Sequence, residues 1–278
     1  MRFVRQFLAV LAIYAIGSGA VNAVKENDWL TLVVGVTTAA LALLVYGWVV
    51  RRTEHRAAPD VAREGAAART GRGMLIGVGM FTAVIVILSA AGHYEIDGLG
   101  SPSGAMGLVG FMAAVSVAEE VVYRGVLFRI IEERTGTYLA LALTGVVFGL
   151  SHLFNENATL WGALAIAIEA GFMLAAAYAA TRTLWFPIGL HFGWNFAAAG
   201  IFSTEVSGSG ANRGLLDTAT SGPQLLTGGG FGPEGSVYAV GFGALLTIVF
   251  LWLARRRGNI VPRTRRAARV EPVATLPR

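Results

Sequence analysis

The chain has 278 residues, of which 55% are hydrophobic and 14% charged, with a formal net charge of +5. A water-soluble domain of this size carries about 25% charged residues, so the composition excludes an ordinary soluble protein and makes lipid the expected solvent. No cysteine is present, which excludes disulfides, cysteine nucleophiles and thiolate metal sites.

A membrane-spanning helix needs roughly 20 mostly apolar residues. Eight stretches meet this approximately: 7–24, 29–50, 74–92, 106–131, 138–154, 159–181, 183–203 and 237–254. The expected fold is therefore all-α, a polytopic membrane protein of about eight transmembrane helices. Residues 1–23 also resemble a signal peptide, but a retained helix is expected, because its removal would leave an odd number of spans.

Arginine placement orients the bundle. Arg2 and Arg5 precede the first span. Arg51, Arg52, Arg56, Arg63, Arg69 and Arg72 follow the second, Arg134 follows the fourth, Arg182 follows the sixth, and Arg255–Arg257 with five further arginines follow the eighth. Only Lys25 and Arg213 fall on the other side. The positive-inside rule then places both termini in the cytoplasm. The basic surface faces anionic headgroups, so the charge calls for the lipid bilayer as a partner and for no nucleic acid. Residues 1–257 are read as a single transmembrane domain. The Gly- and Ser-rich stretch 204–236 is expected to be a flexible outer linker, and 258–278 a basic disordered cytoplasmic tail. The Ala, Gly, Val and Arg usage suggests a GC-rich prokaryotic genome.

Ionisable groups inside a bilayer cost about 2.5–3.5 kcal/mol each even on lenient scales, so they need a partner or a wet cavity. Here they are Glu119, Glu120, Arg124, His152, Glu169 and His191, with Arg129 nearer an interface. Glu120 and Arg124 are four residues apart on a helix and can pair. Glu119 points about 100° away from Glu120 and stays available as a base. Phe148 and His152 share a face of the fifth span, and His191 and Asn195 share a face of the seventh. Gly149, Gly189 and Gly193 permit close approach beside both histidines. Glu169 is expected to pair with Arg124 or a histidine, or else to face a cavity.

A glutamate with two histidines is enough to activate water. The carboxylate takes a proton, or Glu and His bind a metal that acidifies the water. Asn195 and the second histidine can donate to an oxyanion. The same residues would also serve a proton relay in a transporter, or an ion pair that fixes helix packing.

In their order and placement on separate spans, Glu119-Glu120-x-x-x-Arg124, Phe148-x-x-x-His152 and His191-x-x-x-Asn195 resemble the CAAX protease and bacteriocin-processing family, also called Abi or type II CAAX prenyl endopeptidase-like. The motif core spans about residues 106–203. The resemblance implies an intramembrane endopeptidase acting on a membrane-embedded or lipid-attached peptide. It implies Glu119 as the base that activates water, with His152 orienting that water. His191 and Asn195 would stabilise the oxyanion, and Glu120 with Arg124 would form the supporting pair. Family members have been described both as metalloproteases and as metal-free glutamate proteases. A divalent metal such as zinc, if used, would fall to Glu119, His152 and His191. A non-catalytic scaffold member of the family and a proton-coupled transporter remain the alternatives.

Overall fold

In the computed structural model, residues 1–210 and 213–263 are described. Seven helices among them are long and apolar enough to cross a membrane: α1 Arg2–Val24, α2 Asp28–Glu54, α3 Ala66–Ala90, α4 Pro102–Thr135, α5 Thr137–Phe154, α6 Leu160–Thr181 and, last in the chain, α8 Val237–Arg256. The stretch 183–203 forms a further helix, α7, which is not among those seven. It is shorter and composite, an 11-residue α-helix Trp185–Asn195 followed by the six π-helical residues Phe196–Ile201. The chain is thus a multi-pass helical membrane protein. Spanning lipid by helices satisfies every backbone polar group within the segment.

Local sequence sets several helix starts. Asn27 accepts from the Leu30 amide at 3.0 Å, Ser101 from Gly104 at 2.9 Å, Thr159 from Gly162 at 2.8 Å and Ser236 from Ala239 at 3.1 Å. Each cap satisfies an amide that the first helical turn leaves unbonded. Gly136, at φ +80°, ends α4 and admits the sharp passage into α5.

The outer helices α1 and α8 leave large apolar side chains uncovered, among them Leu8, Ile16, Leu245, Ile248 and Trp252. In lipid such a surface needs no cover. The centre is α7, which packs chiefly against α3. Gly73 and Gly77 of α3 face Gly189 and Gly193 of α7. A Cβ on Gly73 or Gly77 would run into the α7 backbone at Phe186 and Leu190, and one on Gly189 or Gly193 into α3 at Thr70 and Met74. Paired small residues four apart let two backbones touch, which is how helices gain van der Waals contact where lipid offers no hydrophobic drive. This seam fixes the position of the helix that carries His191.

Two features depart from the sequence reading. Residues 94–99 form strand β1, Tyr94–Leu99, which pairs antiparallel with β2, Leu216–Thr220, with a bulge between Ile96 and Gly98. The stretch 204–236, read as a linker, therefore contains a strand. It also buries Phe231, Glu234 and Ser236. Glycines there serve the turns, with Gly228 and Gly232 at φ +80° and +96°. At the other end, residues 258–263 run beside the start of α5, where Thr137 N–H donates to Val261 O at 3.0 Å; the rest of the expected tail lies outside the described residues.

Two buried polar clusters tie the bundle below the site. Arg129 donates to Glu54 at 2.7 Å, to Gln6 at 2.7 Å and to Gly125 O at 2.8 Å, which joins α1, α2 and α4. Asp60, in the α2–α3 connection, accepts from Tyr178 at 2.7 Å and Tyr46 at 3.1 Å. Arg129 is thus accounted for as a structural anchor.

Candidate active site

The three motifs meet in space. Glu120 is fully buried, and its Oε1 accepts from Arg124 Nη1 at 2.7 Å and from His191 Nδ1 at 3.0 Å. The expected i,i+4 pair therefore forms, and it reaches the third motif as well. Arg124, 1% exposed, also donates to the carbonyls of Ala170 and Gly171 at 3.2 and 3.1 Å. Its guanidinium carbon lies 4.6 Å from the Phe148 ring centroid, a cation–π distance. One arginine thus binds α4, α5 and α6 together. A buried charge with this many partners is tolerable where an isolated one is not.

Glu119, one residue back, behaves differently. Its Oε2 lies 3.9 Å from His191 Nε2, beyond hydrogen-bond reach, and has no hydrogen-bond partner. The two adjacent glutamates have thus separated into a neutralised one and an uncommitted one. Helix geometry explains the separation, because neighbouring side chains diverge by about 100°.

Glu119, His152, His191 and Asn195 all line one cavity of about 590 Å³. His152 Nδ1 bonds Phe148 O at 2.8 Å, across one turn of α5. With Nδ1 engaged on the backbone, its Nε2 is the free nitrogen. Phe148 sits between the histidines, its ring centroid 4.8 Å from His152 and 6.2 Å from His191. The sequence-predicted set Glu119, His152, His191 and Asn195 is therefore assembled around one space, while Glu120 and Arg124 stand behind it.

Three helices become π-helical beside this cavity: α4 over Val121–Phe128, α6 over Ala167–Phe172 and α7 over Phe196–Ile201. Short π segments widen a helix by one residue per turn and occur often at functional sites. Here they follow directly on Glu120, surround Glu169 and follow directly on Asn195.

Other wall residues carry no sequence signal. Tyr14, Ser18 and Asn22 of α1 contribute to the lining, although α1 holds no motif. Glu234 from the 204–236 segment is buried against the site helix. Its Oε1 accepts from Trp194 Nε1 at 2.7 Å, and its Oε2 from Ser207 Oγ at 2.6 Å. Burial pushes the Glu234 carboxyl above the usual range, against the two hydrogen bonds that lower it. Nothing in its Gly-rich surroundings distinguished Glu234 from other outside acids. Glu169 also lines the cavity, but the expected pairing is absent: both carboxylate oxygens are buried without a partner. Arg124 donates to Glu120 and two carbonyls and makes no hydrogen bond to Glu169.

Among the described residues, no three His, Asp or Glu side chains are grouped as a metal ion requires. The set Glu119, His152 and His191 shares the cavity without forming such a group.

Comparison with known proteins agrees with the motif reading. Residues 101–197 match the family model for "Type II CAAX prenyl endopeptidase Rce1-like". The chain is 25% identical over 245 residues to a Bacillus subtilis (strain 168) protein named "Putative membrane peptidase YdiL", covering 82% of this chain and 94% of that protein. No solved structure matches the chain. The segment that is similar to the type II CAAX prenyl endopeptidase Rce1-like family contains Glu119, Glu120, Arg124, His152, His191 and Asn195.

Proposed function

We propose that the protein is an intramembrane endopeptidase that hydrolyses a peptide bond of a membrane-associated protein or peptide. The observation that carries this reading is the uncommitted carboxylate of Glu119, 3.9 Å from His191 in a cavity that also holds His152 and Asn195. A carboxylate without a structural partner, beside two imidazoles in a bilayer, is hard to explain by packing.

In the proposed reaction Glu119 takes a proton from water, and His152 orients that water through its free nitrogen. The hydroxide attacks the scissile carbonyl. The amide of Asn195 donates to the negative charge that develops on the carbonyl oxygen, and so does His191 in its imidazolium form, which has an N–H on Nε2 as well as the Nδ1–H held by Glu120. Glu120 fixes the His191 ring through Nδ1, and Arg124 neutralises Glu120. The proton held by Glu119 then passes to the leaving amine, so the base is regenerated. The names of the matching family and of the Bacillus subtilis relative, both those of peptidases, support this class of reaction.

The test is cleavage of a library of single-span peptides by the purified protein in liposomes, read by mass spectrometry. Defined cuts by the wild type that vanish in Glu119→Gln are the expected outcome. Equal cleavage by both proteins would sink the reading.

A further inference from the structure

The cavity has a marked charge bias. Three carboxyl groups line it, Glu119, Glu169 and Glu234, together with the imidazoles of His152 and His191; among the described residues no lysine or arginine does. Two of the carboxyls have assigned work. Glu119 is the proposed base, and both oxygens of Glu234 are held by Trp194 and Ser207. Glu169 has none. It is 1% exposed, sits in the π-helical turn of α6, and neither of its oxygens has a hydrogen-bond partner. Buried polar atoms are almost always satisfied, so a carboxyl left with two empty acceptors in a cavity wall needs a partner that arrives from the cavity. No group among the described residues bonds it: the hydrogen bonds of Arg124 go to Glu120 and two carbonyls, and Glu234 is another acid.

From this geometry we infer that Glu169 is a specificity-determining residue, and that the cavity accepts a substrate whose bound segment carries a basic side chain, an arginine guanidinium or lysine ammonium, against Glu169. The inference rests on the peptidase reading for its substrate, a peptide, but not for its chemistry. A guanidinium offers paired donors that match a carboxylate's two oxygens, and it would bring to a cation-free cavity the positive charge that the wall lacks. In lipid, where water competes little, such a pair discriminates strongly against an apolar residue of the same size.

The probes are three matched, fluorescently labelled single-span peptides that differ at one central position: arginine, its uncharged isostere citrulline, and norleucine. Binding to the full-length protein in nanodiscs is measured for the wild type and for Glu169→Gln. The wild type is expected to bind the arginine peptide at least about tenfold more tightly than the norleucine peptide, with citrulline between them. Glu169→Gln is expected to bring all three within about twofold while keeping wild-type affinity for norleucine. No arginine preference in the wild type, or a preference that survives Glu169→Gln, overturns the assignment. Equal loss of all three peptides in the variant also overturns it, since Glu169 would then be a packing residue. Cleavage in the same samples is scored separately: peptides bound with the expected preference but never cut would refute the peptidase reading and leave the basic-residue subsite standing.

Discussion

His191 and Glu120, 71 positions apart in the chain, meet through a 3.0 Å contact between Nδ1 and Oε1. The same carboxylate oxygen receives Arg124 at 2.7 Å. This junction determines which of the two adjacent glutamates is held and which is free, and it sets the roles that substitutions would expose.

Removing one partner of the junction leaves a buried charge uncompensated. Glu120→Gln and Arg124→Met are each expected to lower stability by about 3–5 kcal/mol. The double variant is expected to lose clearly less than the two losses added together, because neither charge is then stranded. Thermal unfolding in detergent of the wild type, both single variants and the double variant checks this. Additive losses would mean that the pair contributes nothing as a pair.

Glu119 makes no such bond, so its removal should spare the fold. Glu119→Gln is expected to unfold at the wild-type temperature while losing about 10²–10⁴-fold in cleavage rate, the usual contribution of a positioned base. Asn195→Ala is expected to lose about 10²–10³-fold in turnover as an oxyanion donor, with a smaller change in KM. A rise in KM alone would move Asn195 from oxyanion stabilisation to substrate binding.

The seat of Glu169 depends on a glycine of α8. A Cβ on Gly243 would collide with the Glu169 backbone. Gly243→Val is therefore expected to push α8 from the π-helical turn of α6 and to cost about 1–3 kcal/mol by overpacking. Gly241→Val, at a position where a Cβ meets open space, is the control and should unfold near the wild-type temperature. Equal behaviour of the two variants would contradict the close α6–α8 approach.

Glu234 gives stability a pH dependence of a defined sign. Burial raises its carboxyl in the folded protein above the unfolded value of about 4.3. The folded state then holds the proton over a range in which the unfolded state has released it. Stability is accordingly greatest below that unfolded value and declines as pH rises through the folded one. Glu234→Gln should flatten this decline. Glu205 titrates in the same direction, raised by burial against backbone donors led by Gly210, so Glu205→Gln is measured beside it. Unfolding temperature recorded from pH 4 to 8 decides the matter; a slope unchanged in Glu234→Gln would assign the decline to other groups.

Much of this protein was legible in its sequence because lipid imposes a simple rule. Long apolar runs must be helices, and the few ionisable residues within them must face one another or a cavity. That rule, with the spacing of Glu120 and Arg124, was sufficient to anticipate the bundle, the ion pair and a Glu119 side chain that stands apart from that pair. The glycines beside His191 likewise announced a close helix contact, which α3 supplies. Local sequence could not give the pairing of Tyr94–Leu99 with Leu216–Thr220, since strands 117 or more positions apart pair only once the bundle brings their ends together. It could not give Glu234 either, an acid in a Gly-rich segment whose importance comes from folding back onto Trp194. Nor could it show that Glu169 stays unpaired, because that depends on Arg124 being aimed at Glu120 and two α6 carbonyls instead. Sequence determined which groups enter the membrane. The tertiary structure decided which are satisfied and which remain free, because each hydrogen bond uses a donor that only three-dimensional neighbours compete for.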